Sequence, residues 1–114
     1  MNDCIFCKII NKKISAEIVY DSQDVIAFKD LNPQAPVHIL IIPKIHIPTL
    51  NDLLPEHTNL VGNLIQVSKE LAKSENIEEN GYRVGFNCNA DGGQTVYHIH
   101  LHLLGGRSFS WPPG

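Results

Sequence analysis

Residues 96–106 read VYHIHLHLLGG and place three histidines at alternate positions, His98, His100 and His102. Half of the chain's six histidines therefore lie on one short line. Side chains alternate across a strand, so an extended segment here carries these imidazoles on one face and Tyr97, Ile99, Leu101 and Leu103 on the other. The second set is apolar and is expected against the core. Imidazole can be nucleophile, acid, base or ligand near neutral pH, and three in register are poor filler for a solvent-facing strand. They mark a reaction site or a metal site. Zinc accepts three histidines and a water, yet the outer pair of a straight strand stands about 13 Å apart at the backbone. Different tasks for different rings are the better expectation.

Two further stretches carry chemistry. DGGQT, residues 91–95, directly precedes the histidine line. Its glycines permit positive φ and a close approach of ligand to main chain. Successive N–H groups in such a loop can form an anion nest, to which Gln94 and Thr95 add side-chain donors. A phosphate held there lies near His100 and His102. CIFC, residues 4–7, pairs Cys4 with Cys7. A thioredoxin-like redox motif follows a strand and opens a helix within a βαβ unit, and no strand precedes this one. Two thiolates three positions apart can share one tetrahedral zinc, which then needs two more ligands. Cys88 stands alone in a strand and reads as small apolar filler.

The elements that position these residues follow from pattern. CIFCKII reads as a short helical turn. AEIVYD and DVIAFKD read as strands around a turn at Ser22 and Gln23, and LNPQAP is an irregular connection. VHILIIP is β-branched and apolar, as a buried central strand should be. Leu60, Leu64, Val67 and Leu71 recur at helical spacing and predict a helix over residues 55–76. Pro55 suits its first position, whereas Leu54 is a poor cap. His57, at that start, is expected in solvent. GYRVGFNCN reads as a strand, ADGGQT as a loop, VYHIHLHLLGG as the last strand, and RSFSWPPG as an irregular tail. Strands, helix, then strands predict an α+β fold with an antiparallel sheet.

The 114 residues are expected to form a single domain over residues 1–114, long enough for one core without staples. The net charge of −3 argues against broad binding to nucleic acid or an anionic membrane. A small anion can still be held locally. No apolar run reaches membrane-spanning length, and the start, MNDCIFCKIINKK, lacks the features of a signal peptide. Three cysteines, an odd number, fit reduced thiols better than a disulfide framework. A cytoplasmic protein is expected.

HIHLHLL resembles the histidine-triad motif of the HIT superfamily of nucleotide hydrolases and transferases. CIFCKII, IAFKDLNPQAPVHILIIPKIHI, GYRVGFN, DGGQTVYHIHLHLLGGR and terminal WPPG resemble its HINT branch, over nearly the whole chain. The resemblance implies a HIT-like fold: a five-stranded antiparallel sheet with one long and one short helix, joined across a homodimer into ten strands. It implies binding of purine nucleotides and hydrolysis of adenosine 5′-phosphoramidates to AMP and an amine, through a covalent AMP-histidine.

Residue by residue, the resemblance makes His100 the nucleophile, which suits a neutral imidazole attacking phosphorus. His102 becomes its companion on a phosphoryl oxygen or the departing amine. His38 falls beside the leaving group or the third histidine. Thr95, where the family usually has serine, contacts the leaving atom. Gln94 and the Gly93 backbone hold the phosphate. Asp30 accepts from the ribose hydroxyls, Ile14, Phe28 and Leu31 line the base, and Asn87 lies near the sugar-phosphate. Trp111 reaches across the dimer to the partner's active site, and Arg107 anchors that tail. The resemblance also completes the metal set: Cys4, Cys7, His46 of PKIHI and His98 would hold a structural zinc, one per chain, with no catalytic metal required. A dinucleoside polyphosphate hydrolase is the alternative within the superfamily, although the WPPG ending and short chain favour the HINT branch. A nucleotide-binding interaction module is the alternative outside catalysis. A domain organised by zinc alone leaves His100, His102 and DGGQT unexplained.

Overall fold

The apolar runs build the sheet expected of them. In the computed structural model, which describes residues 3–114, the strands are β1 (Ile18–Asp21), β2 (Val25–Lys29), β3 (Val37–Pro43), β4 (Tyr82–Gly85) and β5 (Leu101–Gly105). They form one sheet in the order β1-β2-β3-β5-β4, every neighbouring pair antiparallel. The helices are α1 (Ile5–Ile10), α2 (Thr58–Ser74) and the single turn α3 (Asn89–Gly92), with 3-10 turns at Leu50–Asp52 and Pro55–His57. Among the described residues no helix is long and apolar enough to cross a membrane.

Strand alternation divides the core in two. Val25, Ala27, Ile39, Ile41, Leu101 and Leu103 meet Leu64, Val67 and Leu71 of α2. Burying each such side chain of α2 contributes about 1.5–3 kcal/mol. On the other face, Ile26, Phe28, Leu40 and Ile42 meet Phe6 and Ile9 of α1. His102 lies opposite Leu40 in the β3–β5 ladder, so it shares the α1 face.

Several sequence expectations change in detail. The last strand begins at Leu101, not at residue 96, because its ladder to β3 ends at the Ile41–Leu101 pair. Beyond it the N–H of Ile99 turns to the carbonyl of Ile47, and the Pro43 carbonyl is taken by the His98 side chain. Tyr97, expected in the core, is consequently exposed. The strand read at GYRVGFNCN is confined to Tyr82–Gly85, and part of the ADGGQT loop coils into α3. The helix expected from residue 55 begins at Thr58 after a 3-10 turn, and His57 is half-buried rather than in solvent, its Nδ1 accepting the Leu54 N–H at 2.9 Å across that turn.

Glycines end β5. Gly106 adopts φ +91°, and a Cβ there would meet the Pro36 ring at 2.8 Å. Strain and collision act together, so Gly106→Ala should lower unfolding free energy by about 1–3 kcal/mol in urea titrations. An unchanged midpoint would show that this turn yields freely.

Candidate active site and metal centre

His98 connects two clusters. It is fully buried, and its Nε2 lies 2.8 Å from the Pro43 carbonyl. A carbonyl only accepts, so Nε2 carries the proton and Nδ1 presents a lone pair. That Nδ1 lies 3.4 Å from Cys4 Sγ, 3.6 Å from Cys7 Sγ and 3.2 Å from His46 Nδ1. Cys7 Sγ is 3.5 Å from His46 Nδ1. All four donor atoms fall within 4.8 Å of one another. Around a tetrahedral zinc with bonds of about 2.3 Å to sulfur and about 2.0–2.1 Å to nitrogen, S···N edges are about 3.5 Å and N···N edges about 3.3 Å. The donor set and its spacing are compatible with zinc. Burial pushes the His98 imidazole down to about 4 despite the Pro43 hydrogen bond, so the ring is a neutral ligand at neutral pH.

The second cluster holds His100, His102, His38 and Asp30. His100 Nδ1 is 2.8 Å from the His98 carbonyl and must donate to it. Its Nε2 therefore bears the lone pair. The Gln34 N–H donates to His38 Nδ1 at 3.0 Å, so the proton of neutral His38 sits on Nε2. His38 Nε2 then donates to His102 Nδ1 at 2.9 Å. By the same rule His102 keeps its proton on Nε2, and that buried atom has no protein partner. The rings of His100 and His102 are 4.9 Å apart. A nucleophilic nitrogen and an unspent N–H donor thus stand on adjacent rings. Burial lowers the pKa of His38, His100 and His102, the last to about 4 with help from its histidine neighbours, which keeps the chain of tautomers neutral.

Asp30, His38 and His102 also bring ligand atoms within 4.8 Å of one another. Their tautomers oppose a metal there. His38 Nε2 can release its proton to bind an ion only if Nδ1 takes one, and Nδ1 faces the Gln34 N–H. Asp30 instead accepts from Asn32 N–H through Oδ1 at 2.8 Å and sets Oδ2 3.4 Å from His38 Nε2.

The outer expected residues divide. Phe28 is buried and stacks edge-on against Phe6 with centroids 5.3 Å apart. Ile14, Asn87 and Thr95 are exposed, and Leu31 is 97% exposed. Trp111 is 83% exposed on the single chain. Gly93 and Gln94 depart from the expectation that they face a phosphate. Their N–H groups go to the carbonyls of Ala90 and Asn89, capping α3. The Gln94 amide donates to the carbonyls of Pro48 and Val96 and accepts from the Asn89 N–H. A four-residue helix leaves its last carbonyls open, and these donors close them. Arg107 does anchor the tail: it donates to the carbonyls of Gln34 and Ser108 and stacks 4.2 Å from the Phe109 ring. Sequence reasoning missed its partner Arg83, which covers the same ring at 5.1 Å and donates to the Ser110 carbonyl. It also missed Phe6 and the backbone groups of Gln34 and Pro43. Phe6 carried a faint signal as the apolar residue inside CIFC; backbone groups carry none.

The chain is similar to known proteins over most of its length. A family profile described as scavenger mRNA decapping enzyme C-term binding matches residues 3–110. The chain is 54% identical over 105 residues to the purine nucleoside phosphoramidase of Escherichia coli strain K12, covering 92% of this chain and 88% of that one. It is 51% identical over 112 residues to a 14 kDa zinc-binding protein of Zea mays, covering 96% and 87%. The crystal structure of a HIT family hydrolase from Legionella pneumophila Philadelphia 1 superposes with a TM-score of 0.96 at 52% identity, covering 98% of this chain and all of that one. The chain belongs to the histidine triad, or HIT, family.

Neutral His102 has a consequence for stability. Its pKa falls from an ordinary 6.5 to about 4 on folding, so in that interval the unfolded chain binds a proton that the folded chain refuses. Stability is therefore retained above about pH 6.5 and lost as pH falls through this window. His102→Asn should flatten the decline of the thermal midpoint between about pH 7 and 5. An equal slope in both proteins would show that His102 charges freely in the fold.

Proposed function

We propose that this protein is a purine nucleoside phosphoramidase that cleaves the P–N bond of adenosine 5′-phosphoramidates. The observation that carries the reading is the pair of opposed nitrogens, the His100 Nε2 lone pair beside the partnerless His102 Nε2–H. The Escherichia coli relative, by its name, supports the substrate class.

The residues suggest two displacements. His100 Nε2 attacks the α-phosphorus, a P–N bond forms to the ring, and the P–N bond to the amine breaks with its electron pair leaving on nitrogen. The adenylated ring retains its Nδ1–H on the His98 carbonyl and carries the positive charge. His102 Nε2–H stabilises the phosphoryl oxygen on which charge develops. Thr95 offers a hydroxyl to the leaving nitrogen. Water then attacks the same phosphorus, AMP departs, His100 returns neutral, and the proton from water balances the one taken up by the amine. His38 holds the His102 tautomer. Oδ2 of Asp30 accepts from the ribose, with Ile14, Phe28 and Leu31 against the base and Asn87 near the sugar-phosphate. Gly93 and Gln94 shape the loop that presents Thr95.

Cys4, Cys7, His46 and His98 would hold one structural zinc per chain. Two thiolates and two imidazoles fill a tetrahedral ion, leaving no position for substrate or water. Its chemistry is to fasten the chain, and the zinc-binding maize relative supports it. A single HIT domain over residues 1–114 would pair with a second copy in the cytoplasm. The edge strand β4, with Tyr82 and Val84 partly exposed, supports continuation into a ten-stranded sheet, and the exposed Trp111 supports a role at the partner's site.

Amine release from an adenosine 5′-phosphoramidate should fall at least about a thousand-fold in His100→Ala. Retained turnover would remove His100 as the nucleophile, and no turnover by either protein would remove this substrate class. Metal analysis of the purified protein should find about one zinc per chain, and markedly less in Cys7→Ser. A full complement in that variant would place the ion elsewhere.

A further inference from the structure

The metal cluster and the reacting ring share two parts. His98 offers Nδ1 to the cluster and its carbonyl to His100 Nδ1. Phe6 sits between the cysteines in sequence, inside α1. Its ring meets His100 edge-to-face at 5.1 Å and 89°, and meets His98 at 5.9 Å. One hydrogen bond at Nδ1 does not by itself lock an imidazole, which can turn about Cβ–Cγ and break it. The ring of His100 is blocked by Phe6 and by His102, whose ring lies 4.9 Å away. Phe6 rides on a six-residue helix, far too short to be stable alone, which depends on its core contacts and on the fastening of its N-terminus. Cys4 is that helix's N-cap, accepting the Cys7 N–H at 3.4 Å, and Cys7 lies in its first turn. The N-terminal fastening of α1 is therefore made by two members of the metal cluster.

Resting on the phosphoramidase reading and its zinc, we propose that Phe6 is a positioning residue for His100, held in place through Cys4 and Cys7 by the metal centre. The centre then tunes catalysis without touching substrate. Loss of the ion should release α1, let the His100 ring swing, and lower kcat while KM stays nearly constant.

Two arms test this. In Phe6→Leu, which keeps an apolar side chain and all four ligands, zinc content should match the parent. KM should stay within about two-fold while kcat falls about ten-fold or more, as expected for a misaligned nucleophile. Phe6→Tyr, which keeps the ring, should recover most of kcat. In the second arm, zinc is removed by chelation from protein labelled with 15N-histidine. The His100 nitrogens should pass from one tautomer to averaged signals, and return when zinc is added. Unchanged kcat in Phe6→Leu, or unchanged His100 signals after zinc has left, would overturn the proposal. If Phe6→Leu fails to fold, the chelation arm decides. A protein that binds no zinc defeats the zinc reading, and with it the metal's part in this proposal. An active His100→Ala defeats the nucleophile reading instead.

Discussion

A neutral imidazole has one donor and one acceptor, and the site is built on that constraint. Burial keeps His38, His98, His100 and His102 uncharged, so each bond at one nitrogen decides the state of the other. The Pro43 carbonyl turns the His98 lone pair to the cysteines. The His98 carbonyl fixes the lone pair of His100 outward. The Gln34 N–H sets the proton of His38 on Nε2 and, through it, leaves the His102 proton on a buried Nε2 with no protein partner. Three backbone groups thereby assign four rings.

The end of β3 makes this possible. Had the β3–β5 ladder continued past Ile41 and Leu101, the Pro43 carbonyl would have been a ladder acceptor. The break frees it for an imidazole and lets the histidine segment curve over α1. The sheet thus supplies rigidity at His102 and curvature at His98. The same break explains how three alternating residues can serve two clusters that a straight strand would hold apart.

The two clusters that could attract a cation differ for the same reason. At Cys4, Cys7, His46 and His98 four donor atoms lie close to one another, and the His98 proton is held away from them on the Pro43 carbonyl. At Asp30, His38 and His102 a proton already occupies the space between the rings, held there by a main-chain donor. Ligand identity alone does not separate a metal centre from a proton chain. The direction of each lone pair does, and it follows from second partners.

The sequence by itself singled out the residues with chemistry to offer and determined the elements beneath most of them. The VHILIIP run dictated a buried central strand, and the spacing of Leu64, Val67 and Leu71 dictated the helix covering it, because apolar period and strand alternation are local properties. Alternation also foretold that His100 and His102 share one face, and their rings lie 4.9 Å apart. Family resemblance alone joined His46 and His98 to the cysteines. The tertiary structure alone decided which tautomer each ring holds. Tautomers depend on carbonyls and N–H groups distant in the chain, Pro43 for His98 and Gln34 for His38, and every residue but proline has the same two backbone groups. It alone also turned Gln94 inward and set Phe6 against His100. Those contacts arise where α1, the β3 end and the α3 cap converge, and no periodicity within one segment encodes that convergence.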